Sequence, residues 1–192
     1  MARAADGGLL TFALSLTLDG CCDHREMIGG DRDEMHDHFT QLIGAAGAIL
    51  YGRTTYELME GFWPAVARDE KAPRALREWA CKLEDTPKHV VSASRRDFPW
   101  KNSFHVEGDL REAVIRLKER TPRGVLVGSP MLSAALDRLG LIDEYHLVVH
   151  PVLAGHGPYL FQGSERPRHL DLLSMTRLKS GTTAMHYRRK VG

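Results

Sequence analysis

The feature that most constrains this chain is an order of parts that occurs twice: a short apolar run, a glycine, a hydroxyl-bearing residue, then a stretch with helical period. Ala48-Ile49-Leu50-Tyr51 leads into Gly52-Arg53-Thr54-Thr55, and Val125-Leu126-Val127 leads into Gly128-Ser129-Pro130. A short run that is apolar at every position suits a strand buried on both faces, and a helix that follows at once carries the chain back across the sheet. Units of this kind stack into a parallel sheet with helices on both sides.

The remaining pattern extends the same plan. Leu9 to Leu18 alternates through Phe12, Leu14, Leu16 and Leu18 and stops at Asp19-Gly20, a strand followed by a turn. Cys21 to Gly30 lacks periodicity and reads as a loop able to move. Asp31 and Glu34 have capping-box spacing ahead of Met35, Phe39, Leu42 and Ile43, which predicts a helix of about a dozen residues. Thr54 and Glu57 repeat that spacing. Gly61 to Pro73 reads as a surface connection holding Phe62-Trp63, and Leu76, Trp79, Ala80 and Leu83 mark the next helix.

Val90-Val91 is a brief strand ending at Ser92, and Phe104 to Val106 is another. Asp109 opens a helix through Leu110, Ala113, Val114 and Leu117, and Pro130 stands where a helix tolerates proline, ahead of Met131, Leu132, Ala135, Leu136 and Leu139. Tyr145 to Val149, Leu170 to Thr176 and Thr182 to Arg188 then follow as strands with no helix between them. The expectation is one α/β domain over residues 1–192, with a mostly parallel central sheet, helices on both faces and an antiparallel C-terminal edge.

Composition sets the function classes aside. At 192 residues, with 43% apolar and 27% charged positions, the chain suits an ordinary globular domain. A net charge of +1 gives no field that would draw it to nucleic acid or to an anionic membrane, so any anion must be caught locally. Leu9 to Leu18 is about half of the roughly 20 residues a membrane-spanning helix needs, and no basic leader precedes it. Adjacent Cys21 and Cys22 with a distant Cys81 make no disulfide framework, which fits a cytoplasmic protein.

The chemistry is expected at the two strand-to-helix turns. Free backbone N–H groups and the positive end of a helix dipole converge there, and glycine lets a phosphate approach the main chain. Two such turns, with Arg53 in the first, suit a ligand with more than one phosphate. Neither is a G-x-G-x-x-G fingerprint or a P-loop. Each also serves as a plain change of chain direction.

The order of motifs resembles the dihydrofolate reductase fold, and more closely the reductase domain of the bifunctional riboflavin-biosynthesis deaminase-reductases (the RibD C-terminal domain). The resemblance rests on Ser15-Leu16-Thr17-Leu18-Asp19-Gly20, Ile49-Leu50-Tyr51-Gly52-Arg53-Thr54-Thr55-Tyr56-Glu57, Val90-Val91-Ser92, Val127-Gly128-Ser129, Leu141-Ile142-Asp143-Glu144-Tyr145 and Pro151-Val152-Leu153-Ala154-Gly155-His156-Gly157. It implies NADPH binding and hydride transfer to a small heterocyclic (pterin- or pyrimidine-like) or carbonyl substrate, as in dihydrofolate reductase or 5-amino-6-(5-phosphoribosylamino)uracil reductase.

By position, the resemblance gives Gly52, Arg53, Thr54 and Thr55 to the cofactor phosphates and Gly128, Ser129, Met131 and Leu132 to the pyrophosphate. Ser92, Ser94 and Arg95 (or Arg96) fall to the adenosine 2′-phosphate, and the main chain of Ala13 to the nicotinamide carboxamide. The segment from Asp19 to Gly30 corresponds to a lid. Homodimers also occur among such relatives. An arginine near hydroxyls suits the extra phosphate of NADPH, although Arg95-Arg96 fits a solvated loop equally well.

Dihydrofolate reductases carry a carboxylate on the first helix, facing the cleft. In this chain Asp33 and Asp37 lie opposite the stripe of Met35, Phe39 and Leu42, whereas His36 and His38 flank it. Folate is therefore a poor fit. His36 is the candidate proton donor, because imidazole titrates near neutral pH and hydride addition must be matched by a proton. Asp19 is the second catalytic candidate, against its reading as a turn residue. The spacing of Cys21, Cys22, His24, His36 and His38 suits no zinc motif, so no metal is expected. Tyr56, Phe62, Trp63 and Trp79 fit either the substrate side or the core. The alternative to a reductase is a catalytically silent nucleotide-binding or partner-binding module of the same fold.

Overall fold

A computed structural model describes residues 7–27, 32–162 and 167–190. Its centre is one eight-stranded sheet, built from β1 (Leu10–Thr17), β2 (Ala48–Gly52), β3 (Lys88–Val91), β4 (Ser103–Val106), β5 (Val125–Val127), β6 (Glu144–His150), β7 (Leu170–Arg177) and β8 (Thr183–Arg189). The order across the sheet is β4-β3-β2-β5-β1-β6-β8-β7. Every pairing from β4 to β6 is parallel, and β8 runs antiparallel to both β6 and β7. The mostly parallel sheet with an antiparallel C-terminal edge is the architecture expected from the strand and helix pattern.

Helices α1 (Arg32–Ala45), α2 (Arg53–Glu60), α3 (Trp63–Arg68), α4 (Arg74–Asp85), α5 (Leu110–Arg120) and α6 (Pro130–Arg138) are distributed over both faces. Alternate residues of the strands build two cores. Leu10, Phe12, Leu50, Val125 and Val127 pack with Val114 and Leu117 of α5 and with Leu132 and Leu136 of α6. Ala13, Ile49, Tyr51 and Val90 pack with Ile43 of α1 and Leu83 of α4. Phe12 belongs to the first core and Ala13 to the second because neighbouring strand residues point to opposite faces.

Helix ends follow local chemistry. Asp109 caps α5 by accepting from the Glu112 N–H, as its position predicts. The C-terminal end of α4 is closed from below: Lys88, fully buried, donates to the carbonyls of Leu83, Glu84 and Thr86 at 2.7, 3.1 and 2.9 Å. Burial lowers its pKa to about 8, and the carbonyl end of the helix dipole compensates the charge that remains.

Two local expectations are corrected. Thr54 does not cap α2; Gly52 stands at the N-cap and no side chain takes that role, so Thr54 lies inside the first turn. The connection Gly61 to Pro73 is not irregular, because Trp63–Arg68 forms α3 with Pro64 in its first turn. At six residues this helix is too short to show a period, and it exists by packing on α4. Asp31, the expected cap of α1, and residues 28–30 lie outside the described residues.

Candidate active site

Between α1 and the sheet, towards the carboxyl ends of β2 and β5, lies a cleft of about 630 Å³. Ligands collect in this region of parallel sheets because helix N-termini point there. Its floor is small and largely main chain, with Ala13 and Gly128. A Cβ at Gly128 would come within 3.4 Å of the Ala13 carbonyl oxygen, so glycine brings the α6 turn close against β1. The walls are aromatic: Phe39 of α1, Trp63 of α3 and Trp79 of α4 stand edge to face, with ring centroids 6.0 Å apart for Phe39–Trp79 and for Trp63–Trp79. His36 joins them, 6.1 Å from Trp63 and 6.5 Å from Trp79.

The sequence left these aromatics open between cleft and core. The structure divides them: Tyr56 is fully buried and accepts from the Trp100 N–H, whereas Phe62, Trp63 and Trp79 line the cleft. Met35, Phe39 and Met59 also line it. As apolar residues of a helical stripe, they carry no sequence signal beyond core.

The two glycine turns are neighbours because β2 and β5 are paired. The Gly52 N–H donates to the Ser129 hydroxyl at 3.0 Å, a direct tie between the start of α2 and the start of α6. Neither helix start is capped by a side chain, so the first-turn amides are left to solvent or a ligand. Ser129 is only 2% exposed; its hydroxyl serves the tie. Met131 is exposed and Leu132 is buried in the core. At Gly52, where φ is −80°, an added Cβ would meet nothing nearer than Leu132 Cβ at 3.6 Å. Neither strain nor crowding inside the protein therefore requires glycine there.

The loop after β3 is ordered by its own groups. The Ser92 hydroxyl accepts from the amides of Ser94 and Arg95. The Arg95 guanidinium makes a two-pronged ion pair with Glu60, at 2.8 and 3.0 Å, donates to the Asp97 carbonyl and lies over the rings of Tyr56 and Phe98. Its donors are thus largely engaged, and it straps the loop to α2. Arg53 and Arg96 are more exposed; Arg53 pairs with Glu57 one turn along α2, a solvent-screened contact of small energy.

Asp19 stands beyond the end of β1, and its carboxylate accepts from the Thr17 hydroxyl and from the amides of Ala154 and Gly155. These donors, the Thr17 hydroxyl foremost, lower its pKa to about 2. Asp19 ties the turn after β1 to the segment after β6. The loop beyond it is also held, through Cys22 N–H to the Pro158 carbonyl and Leu160 N–H to the Gly20 carbonyl, and it brings Cys22, His24 and Arg25 to the rim of the cleft.

Helix α1 separates its polar groups. Glu34 accepts from the Lys179 amide, away from the cleft, and Asp37 is exposed. The Nε2 atoms of His38 and His146 face each other at 2.9 Å. His146 pairs across the strands with His186, which donates to Glu144, and Arg188 binds the same carboxylate. Burial, followed by the neighbouring histidines, lowers the pKa of His146 to about 4. No sequence spacing brings His38, His146 and His186 together. Among the described residues no group of three or more His, Cys, Asp or Glu side chains is placed to hold a metal ion, and no helix is long and apolar enough to cross a membrane.

Comparison with known proteins decides the lineage. The family model of the RibD C-terminal domain matches residues 9–184. The chain belongs to the RibD C-terminal domain family. It is 26% identical over 179 residues to the uncharacterized protein YyaP of Bacillus subtilis, covering 91% of each chain. Among solved structures, a pyrimidine reductase-like protein from Corynebacterium diphtheriae superposes with a TM-score of 0.67 at 17% identity, over 96% of this chain and 93% of that one. Dihydrofolate reductase from Enterococcus faecalis, complexed with NADP(H) and RAB-propyl, superposes with a TM-score of 0.63 at 10% identity, over 96% and 98% of the two chains. The fold is therefore that of dihydrofolate reductase, in a family of reductase domains.

Proposed function

We propose that this RibD C-terminal domain is an NADPH-dependent reductase that transfers hydride to a small heterocyclic or carbonyl substrate. The observation that carries the reading is the pair of uncapped helix starts, α2 and α6, tied by the Gly52–Ser129 hydrogen bond beside one cleft. Two sets of free amides side by side suit a pyrophosphate, and the room at Gly52 fits a ligand that comes close to the main chain. When bound, the reduced nicotinamide supplies a hydride.

The chain's own residues supply the rest. The amides of Arg53, Thr54 and Thr55, with those of Met131 and Leu132, hold phosphate oxygens; Ala13, on the cleft floor, offers its main chain to the carboxamide. Arg53 is the nearest cation to the α2 start and meets the 2′-phosphate. Ser92 and Ser94 shape that pocket, and Arg95 keeps its loop in place through Glu60. His36 donates the proton that balances hydride addition, while Phe39, Trp63 and Trp79 exclude water. Asp19 acts as a tether for the rim.

Titration of NADPH, followed by quenching of tryptophan emission, tests the reading; no binding at millimolar cofactor would defeat it. Arg53→Ala should weaken NADPH about tenfold while leaving NADH nearly unchanged. If cofactor binds but no pterin, pyrimidine or carbonyl compound is reduced, the silent-module alternative takes over.

Edge strand β7 exposes Leu172, Leu173 and Met175, an apolar edge suited to a second copy of the chain, and we place a homodimer contact there. Light scattering that returns a monomer at micromolar concentration would remove it. Free Cys21, Cys22 and Cys81 suit the reducing cytoplasm.

A further inference from the structure

We infer that the indole N–H of Trp63 selects the substrate: it rests on the sulfur of Met59 and passes to an acceptor atom, a carbonyl oxygen or an imine-type ring nitrogen, of the compound that enters the cleft. This rests on the reductase reading and deepens it, by naming a feature the substrate must carry and the residue that reads it.

Trp63 opens α3, and Met59 lies one turn back in α2. The Trp63 Nε1 donates to the Met59 Sδ at 3.1 Å, and both side chains line the cleft and are half-buried. A molecule in the cleft therefore meets the donor and its sulfur together. The direction of the donor is fixed, because Phe62 and Trp79 brace the Trp63 ring edge to face, with centroids 5.0 and 6.0 Å away. A donor already held in place costs a ligand little ordering entropy.

An indole N–H can only donate, and a thioether sulfur is among the weakest acceptors a protein offers. The Trp63 N–H is thus satisfied within the protein, yet gives up little when an oxygen or an sp2 nitrogen arrives. Donors at the edges of the site are bound more firmly. The Arg95 guanidinium is held by the Glu60 carboxylate and the Arg25 guanidinium by Asp23, charge-assisted bonds roughly twice as strong as neutral ones. A neutral ligand does not displace them.

Ser15 repeats the arrangement on the floor of the cleft. It follows Ala13 by two residues on β1 and so shares its face, and its hydroxyl donates to the Met35 sulfur at 3.7 Å. A hydroxyl can also accept, so Ser15 tolerates either polarity, whereas Trp63 demands an acceptor. Selection by hydrogen bonding accordingly falls to Trp63.

The test compares two ring compounds of like shape, indanone, which carries a carbonyl oxygen, and indane, which carries no acceptor. Labelling the full chain with ¹⁵N gives indole N–H signals from Trp63, Trp79 and Trp100, and that of Trp63 is identified by its proximity to the Met59 methyl group. Indanone should move the Trp63 proton signal downfield as oxygen replaces sulfur, and indane should not. Calorimetry should show indanone binding about fivefold more tightly than indane, a preference that Trp63→Phe removes. Equal affinities in the wild type, an indanone complex whose Trp63 signal does not move downfield, or failure of both compounds to bind up to their solubility overturns the inference. So does a folded Trp63→Phe protein that keeps the preference; the wild-type measurements decide the matter even if that variant does not fold. NADPH titrated alone in the same instrument separates the two readings, since its failure to bind removes the reductase assignment whatever the ranking of the ring compounds.

Discussion

Two histidines two positions apart on α1 are placed in opposite circumstances. His36 stands among the cleft aromatics, whereas His38 is locked against His146 within an array that continues through His186 to Glu144 and Arg188. Two residues turn a helix by about 200°, so the pair projects to nearly opposite sides. One side of the helix faces the cleft, and the other packs on the strands β6 and β8. The lesson is that a histidine-rich helix start says little about chemistry until the partner strands are known.

The sharpest way to break the contrast is acid. Two facing Nε2 atoms can share a single proton, and His146, held near a pKa of about 4 by burial and by His38 and His186, is neutral in the folded state. Glu34 favours the charged form of His38 and Glu144 that of His146 itself, but neither offsets burial. In the unfolded chain the ring regains a pKa near 6.5, so the native state binds fewer protons in this window. Stability is therefore complete above pH 6.5 and falls as pH drops towards 4, by about 2 kcal/mol, less than the full difference because the ring keeps some exposure. Urea unfolding of His146→Gln over the same range should show that slope removed; an unaltered slope would place the acid sensitivity elsewhere.

The cleft side is probed by Gly52→Ala. Its Cβ fits within ordinary contact of Leu132 and Ser129, so the melting profile should stay within about 0.5 kcal/mol of wild type. NADPH should nevertheless bind about tenfold more weakly, or about 1.4 kcal/mol. Equal losses of stability and affinity would mean that the glycine serves the fold. Ser129→Ala gives the smallest effect, about 1 kcal/mol of stability, by leaving the Gly52 N–H without its buried acceptor. It should lower NADPH affinity only as far as the two turns drift apart.

Much of this arrangement was legible in the residues. The alternation of strands and helices, the antiparallel tail, the Asp109 cap and both glycine turns follow from period and local chemistry, and the family likeness ran along the same segments. Helix α3 and the position of Gly52 at the α2 cap were missed, since six residues show no period and a capping-box spacing does not say which residue begins the helix. The aromatic walls were visible only as ambiguous aromatics, because a residue lining a cleft and one filling a core have the same pattern along the chain.

The sequence by itself determined which stretches become strands and helices, and that two helix starts follow a glycine, because these depend on neighbours a few residues apart. Tertiary structure alone decided that Arg95 would be spent on Glu60, that Asp19 would hold a loop 135 residues away, and that His38 would meet His146 rather than the cleft. Those outcomes depend on which strands lie side by side. The order of strands in a sheet is settled by the burial of the whole surface, which no local window contains.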